Sequence, residues 1–316
     1  MDPRKNIDAR ATGLMVLLCT IWGFQQIVMK ITVPDVPPIF QVALRTAVSG
    51  LMVIALIRWR GGRVIPRDGT LPAGILLAFF YAMEFVFIGE GLTYTSASRL
   101  TIFIYTAPVF AALGLHWRLP EERLARLQWL GVIMAFAGLF IAFSSHAEGP
   151  DNEYPQMLRG DICGLMGGFF WGISTMLIRC TKLAYAQPTT TLLYHLAGGA
   201  LFLGPLAILT GQASFKFTPL AVGSMFFQTV LVAFMCFMIW TWLLRNYLAS
   251  PLGVLSFMTP LFGVIFAVVL LNEPLEPGFV TGSLLVLGGM LIVSGYKAFM
   301  QAVHKRRRDH WNQSGS

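Results

Sequence analysis

Charge is what this sequence has least of. Only 12% of its 316 residues are Asp, Glu, Lys or Arg, against 56% that are hydrophobic, which excludes an ordinary water-soluble domain. No glycine-rich phosphate loop of the Walker kind occurs, so the chain carries no nucleotide-driven engine of its own. Paired acids or histidines at helical spacing, or a nucleophile beside its base, are also missing from the apolar runs. The one dense acidic pair, Glu121-Glu122, sits at a polar turn next to Arg123, so an intramembrane enzyme is not expected. Cysteine is sparse: Cys19, Cys163, Cys180 and Cys236 lie in apolar runs or at their ends, none at metal-ligand spacing from another Cys or His. They read as packing residues, and nothing asks for a metal or a cofactor. A cleavable signal pattern is lacking too. The first apolar run, from near Ala11 to Thr32, is too long for one and should remain as a span.

What the chain has instead is hydrophobic length. Glycine, proline and charge clusters divide it into ten apolar runs, roughly 12 to 32, 37 to 57, 71 to 93, 96 to 117, 125 to 144, 160 to 180, 190 to 210, 219 to 244, 250 to 271 and 277 to 298. Each is about 20 residues, enough for a helix to cross a hydrocarbon layer of about 30 Å. Ten spans place both termini on one side, and the cations say which. Eighteen Lys and Arg fall on the side of the termini, and four, Lys30, Arg99, Arg159 and Lys216, fall on the other. That bias predicts cytoplasmic termini in a multi-pass protein of the cell inner membrane. It also explains the net charge of +8 as a topology signal and a contact for anionic lipid, not a nucleic-acid site.

The second half repeats the first. Ala97-Ser98, Thr106-Ala107-Pro108 and Glu121 return about 152 residues later as Ala249-Ser250, Met258-Thr259-Pro260 and Glu273. Trp22-Gly23 returns as Trp171-Gly172, Arg45-Thr46-Ala47 aligns with His195-Leu196-Ala197, and Gly131 and Gly138 match Gly282 and Gly289. The expected units are 1–147 and 159–300, five spans each, joined by an external linker at 148–158 and followed by a basic cytoplasmic tail at 301–316. Because five is odd, the second copy enters the membrane in the opposite sense. The expected fold is therefore all-α, two inverted five-helix halves around a central cavity, which is an architecture of secondary transporters. A proline inside a membrane helix kinks it. Pro108 and Pro260, near the middle of matched runs, are the expected pivots between two states.

Polar groups at membrane depth are costly and therefore informative. Arg45, near the middle of the second run, is either a docking charge for a substrate carboxylate or the partner of Glu84 in a packing ion pair. Glu84 in turn could meet an ammonium group or carry a proton. Glu90 is six residues further on and points about 120° away, so it cannot share that partner. Its expected role is an outer gate, paired with Arg99 or Lys30. Trp22, Gln25, Gln26 and Met29 share a helix face, as do Trp171, Ser174, Thr175 and Ile178 in the sixth run. A large aromatic ring beside uncharged hydrogen-bonding groups suits a small amphiphilic solute better than a bare ion, although Trp-Gly also serves close helix packing. Tyr81 shares a face with Glu84, and Tyr105 one with Pro108. His195 occupies the place of Arg45 in the second copy, as a packing residue or a proton relay.

Ile21-Trp22-Gly23 followed by Lys30, then Ala43-Leu44-Arg45, then the stretch from Gly91-Leu92-Thr93-Tyr94-Thr95-Ser96-Ala97-Ser98 through Thr106-Ala107-Pro108 to Glu121, resemble the drug/metabolite transporter superfamily. Within it the chain is similar to the EamA-type ten-helix exporters, and most similar to the YddG-type exporters of aromatic and other amino acids. The resemblance covers Ala11 to Phe299. It implies a basket of spans 1 to 4 and 6 to 9 with spans 5 and 10 outside it, a small-molecule substrate with amino acids first among the candidates, and export by alternating access. Gln25-Gln26 stands where the common first-span pattern has a small polar residue and a hydrophobe. The alternatives are a proton-coupled drug or metabolite antiporter of the same fold, and a membrane receptor that binds a metabolite without moving it.

Overall fold

A computed structural model of the chain describes residues 7–64, 68–144, 156–247 and 249–314. The linker expected at 148–158 lies outside the described residues except for its last three. Among the described residues ten helices are long and apolar enough to cross a membrane: α1 (Ala9–Thr32), α2 (Pro38–Trp59), α3 (Leu71–Tyr94), α4 (Ala97–Arg118), α5 (Arg126–Ser144), α6 (Met157–Cys180), α7 (Pro188–Leu209), α8 (Pro219–Leu244), α9 (Leu252–Leu271) and α10 (Pro277–Tyr296). Each agrees with the apolar run that predicts it to within three residues at either end.

Local chemistry sets the helix ends. Four helices, α2, α7, α8 and α10, open on a proline, whose missing N–H would have had no partner there. Asp8 caps α1 by accepting from the Ala11 amide at 2.8 Å, and Thr218 caps α8 through the Ala221 amide at 3.1 Å. At the end of α9, Asn272 takes the left-handed conformation, φ 52°, that terminates a helix and turns the chain toward α10.

Two helices are interrupted at matched places. α4 consists of Ala97–Ile104 and Ala107–Arg118, while the helical path of α9 consists of Ala249–Leu255 and Met258–Leu271. The expected kinks are thus present, with Pro108 and Pro260 in the first turns of the resumed pieces. The halves differ elsewhere. α7 and α8 widen into π-helical turns at Gly199–Leu203 and Phe227–Cys236, whereas their repeat mates α2 and α3 are regular throughout.

Glycine contacts show that the halves are related by a pseudo-two-fold axis. A Cβ built on Gly131 would lie 2.7 Å from the Gly289 carbonyl oxygen, and one on Gly282 would lie 2.6 Å from that of Gly138. The repeat carries Gly131 to Gly282 and Gly138 to Gly289, so each contact is the image of the other. In the same way Gly23 presses on Thr259, Phe262 and Gly263 of α9, and Gly172 on Ala107, Phe110 and Ala111 of α4. Both Trp-Gly pairs therefore serve close packing. α5 and α10 pair along Val132, Ala135, Leu139 and Val286, Met290, Val293, and rest on α4 through Ile102, Phe103 and Val109. α1 to α4 and α6 to α9 form the central set. The outer faces carry exposed Leu127, Ile133, Phe140, Val269 and Leu284, the surface that a bilayer covers.

Candidate functional site

The site is assembled on one face of α2. Gln41, Arg45 and Ser49 follow one another at intervals of four residues and so line one stripe, and all three are buried. The Gln41 amide donates to the backbone oxygens of Met29 and Val36, at 3.1 and 2.8 Å. Across from it Gln228 donates to the Gln41 side-chain oxygen at 2.8 Å and to Ser224 at 3.0 Å. Ser224 and Thr32 are linked at 2.7 Å, and Ser49 donates to the Thr229 carbonyl at 3.0 Å. This polar strip ties α1, α2 and α8 together with every bond inside the protein, as membrane depth demands. Gln228 stands in the π-helical part of α8, a kind of widened turn that is common at functional sites.

Arg45 lies in the middle of the strip, between Gln41 and Ser49, at 2% exposure. Its Nη1 donates to the Gln228 side-chain oxygen at 3.4 Å and approaches the Met29 sulfur at 3.7 Å. The guanidinium carbon lies 4.7 Å from the centre of the Phe85 ring, in cation–π range. Its Nε is buried and has no hydrogen-bond partner. Tyr81 and Glu84 lie within electrostatic reach of the guanidinium, but among the described residues Arg45 and Glu84 form no direct ion pair. The simple packing pair considered for these two residues is therefore not what the geometry shows. Tyr81 packs on Phe85, ring centres 4.8 Å apart, and edge-on to His195 at 5.2 Å. Arg45 and its repeat mate His195 thus meet on the same stretch of α3.

The other expected residues divide into those that join this cluster and those that do not. Gln25 donates to the Met29 sulfur at 3.7 Å and so reaches Arg45 through one shared atom. Gln26 is buried with its side-chain oxygen unpartnered. Trp22 stands apart, packed on Phe237 and Trp240 of α8 with ring centres 6.4 and 5.9 Å away. Tyr105, at the interruption of α4, meets Trp171 edge-on at 5.2 Å. Below them a cavity of about 310 Å³ is lined by Pro108, Trp171 and Thr175 and runs past Ser256 to Glu122 and Gln128. At its mouth Glu122 accepts from Arg179 at 2.7 Å. Ser174 is buried beside it with its hydroxyl unpartnered. The cavity lies in the half of the bundle that also holds the chain termini.

At the opposite end the expected pairs do not form among the described residues. Glu90 meets Arg159 at 3.9 Å, half-exposed, and Lys30 donates to the Thr95 carbonyl at 2.6 Å. Arg99 turns the other way. Its Nε donates to both carboxylate oxygens of Asp161, at 3.1 and 3.0 Å, and Nη2 to the Ala142 carbonyl at 2.7 Å. Thr95 also donates to Asp161, at 2.7 Å, and Glu276 stands 3.7 Å from Arg99. The correction has a simple cause. In the first turn of α4 Arg99 is buried where Asp161 of α6, the Ala142 carbonyl of α5 and Glu276, just before α10, reach it, while Glu90 lies on a partly exposed side of α3. Sequence reasoning passed over Asp161, Gln41 and Gln228. Each was visible as a lone polar residue in or at the edge of an apolar run, and Gln41 also as the residue one turn before Arg45.

The family model of the EamA-like transporter family matches residues 10–144 and again 158–295. An uncharacterized transporter of Archaeoglobus fulgidus is 28% identical over 295 residues, which cover 92% of this chain and 96% of that protein. A Salmonella typhimurium protein named "Probable amino-acid metabolite efflux pump" is 22% identical over 301 residues, 92% of this chain and 97% of its own. One solved crystal structure superposes with a TM-score of 0.65 at 19% identity over 93% of this chain and 99% of the other, a likeness of fold.

Proposed function

The chain belongs to the EamA-like transporter family, and on that footing we propose that it exports neutral and aromatic amino acids across the cell inner membrane by alternating access. As a member of that family it is a multi-pass membrane transporter and not an enzyme. The finer reading rests on Arg45. Its guanidinium is held along one edge by Gln228 and Met29 while Nε is left without an acceptor, and a substrate carboxylate supplies that acceptor. Glu84, 9% exposed and on the same cluster, receives the ammonium group. Phe85, Tyr81, Tyr105 and Trp171 offer ring faces and edges to an apolar side chain. A zwitterion matches opposite charges to opposite charges and adds no net charge to a site where unpaired charge is costly. The name of the Salmonella relative is in keeping with this reading.

The cation bias supports cytoplasmic termini; on that reading the 310 Å³ cavity opens toward the cytoplasm and the Arg99–Asp161 network lies at the outer end. In this reading the protein is facing inward and ready to load.

The test is counterflow of a labelled amino-acid panel into proteoliposomes. Uptake of several neutral or aromatic amino acids is expected, reduced about tenfold or more in Arg45→Gln and Glu84→Gln, the loss of one charged hydrogen bond being enough for that. No uptake of any amino acid by a monodisperse wild-type protein would reject this substrate class. Because Glu84 is a buried acid without a direct ion pair, proton-coupled antiport is the second reading. Substrate flux that stops when the proton gradient is collapsed would favour it.

A further inference from the structure

Thr259 is 1% exposed, and its hydroxyl has no hydrogen-bond partner. A threonine inside a helix can bond the carbonyl four residues back, as Thr20, Thr32, Thr46, Thr101 and Thr175 do here at 2.7–3.1 Å. For Thr259 that carbonyl belongs to Leu255, the last residue before the interruption of α9, and it accepts from Cys19 at 3.5 Å instead. At membrane depth the hydroxyl cannot turn to bulk water, and left unpaired it is costly. The repeat does not ask for it either, since the mate of Thr259 in the first half is Ala107.

Position separates this group from other orphans. Ser283 is unpartnered too, but it lies on α10, outside the central set. Thr259 is in the first turn of the resumed piece of α9. Beside it stand Cys19 and Tyr105, the latter at the interruption of α4. Tyr105 is also within electrostatic reach of Glu84 and meets Trp171 edge-on at 5.2 Å. One residue thus joins the Thr259 hydroxyl to the Arg45 cluster and to the aromatic wall. The 310 Å³ cavity reaches the same two interruptions, at Ala107 and Pro108 and at Ser256 and Phe257.

We propose that the Thr259 hydroxyl takes the hydrogen-bonding group of the substrate's side chain, so that the carrier prefers tyrosine and tryptophan to phenylalanine. A hydroxyl accepts from an indole N–H, and it can accept from a phenol or donate to it. Ring surface alone would hardly separate tyrosine from phenylalanine. A site that hydrogen-bonds a substrate group does, because the analogue lacking that group leaves the site's own polar atom unpaired. This deepens the amino-acid reading above and rests on it.

Counterflow of tyrosine, tryptophan and phenylalanine into proteoliposomes tests it, with thermal unfolding of the empty protein beside it. The wild type should carry tyrosine about tenfold or more faster than phenylalanine at equal low concentration. Thr259→Val, which removes the hydroxyl and keeps the shape, should bring that ratio close to one, and Thr259→Ser should retain most of it. Without substrate, Thr259→Val should unfold at the wild-type temperature or above, since no bond inside the protein is lost. A tyrosine-to-phenylalanine ratio that is the same in Thr259→Val as in the wild type overturns the proposal and leaves amino-acid export standing. So does an unfolding temperature several degrees lower, the mark of a hydroxyl bonded within the protein. Should Thr259→Val not fold, Thr259→Ala is expected to lose the same preference, and an unchanged ratio there is equally decisive. No counterflow of any amino acid by folded wild-type protein rejects the substrate class, and this contact with it.

Discussion

Gly138→Ala places one methyl group into the crossing of α5 and α10, where the structure leaves none of the room it needs. The new Cβ would lie 2.5 Å from the Gly282 carbonyl oxygen, against an ordinary contact of at least 3.4 Å, a shortfall of 0.9 Å. Its next neighbours are the Val286 amide nitrogen at 2.7 Å and the Leu285 Cβ at 2.8 Å. Backbone and Cβ atoms cannot rotate away, so the two helices must part along the row that buries Val132, Ala135, Leu139 and Val286. Overpacking of this kind costs about 1–3 kcal/mol, and alanine returns up to ~1 kcal/mol as the better helix former, leaving a net loss of roughly 1–2 kcal/mol. Gly282→Ala meets the Gly138 oxygen at 2.6 Å. One separation relieves both, so the double variant should fall short of additivity by about 1 kcal/mol. Gly223→Ala, with nothing within 4 Å, is the control and should be neutral or slightly stabilising. Thermal unfolding of the purified protein in detergent measures this, at roughly 2–4 °C per kcal/mol. Counterflow per folded molecule should not change, because none of the residues proposed to bind substrate lies on α5 or α10. A Gly138→Ala protein as stable as Gly223→Ala would refute the crossing, and strict additivity would refute the shared separation.

Three further outcomes are expected. Arg99→Ala should lower stability by about 3–5 kcal/mol, because it strands the carboxylate of Asp161, whose side chain is 0% exposed; Arg99→Met with Asp161→Leu should recover most of that loss, and a double variant as unstable as the single one in thermal unfolding would count against a desolvated pair. Pro108→Ala and Pro260→Ala restore helix formers beside the two interruptions and should reduce counterflow several-fold while shifting the unfolding temperature by only a few degrees; wild-type flux in both would remove these prolines as pivots. The Asp8 carboxylate is held below its ordinary value of 3.8 by the Ala11 amide and, less strongly, by the Tyr247 hydroxyl. A depressed folded value means that its contribution is complete above about pH 4 and is lost as pH falls through the folded value, so unfolding temperature measured against pH should show an acid-side loss that is smaller in Asp8→Asn.

The ten spans, the two interruptions and the inverted halves were legible in the residues themselves. Hydrophobic length, helix-stopping prolines and a repeat of about 152 residues are local or periodic signals, and a bilayer leaves a 20-residue apolar run little choice but helix. Arg45, Glu84, Tyr81 and His195 were also legible as candidates, since polar side chains in apolar runs are rare enough to be noticed. Their partners were not. Helix periodicity says which way Arg99 points around its own axis but not that Asp161, 62 residues on, stands opposite it, and it placed Trp22 and Gln25 on one face when only Gln25 reaches the Arg45 cluster. The π-helical turn that carries Gln228 has no sequence mark of its own, and its bond to Gln41 of α2 spans 187 residues of chain. The number of membrane-crossing helices and their arrangement in two opposed sets could thus be read from apolar run length and the repeat alone. Which polar groups meet had to come from the packed bundle, because that depends on distances between helices far apart along the chain.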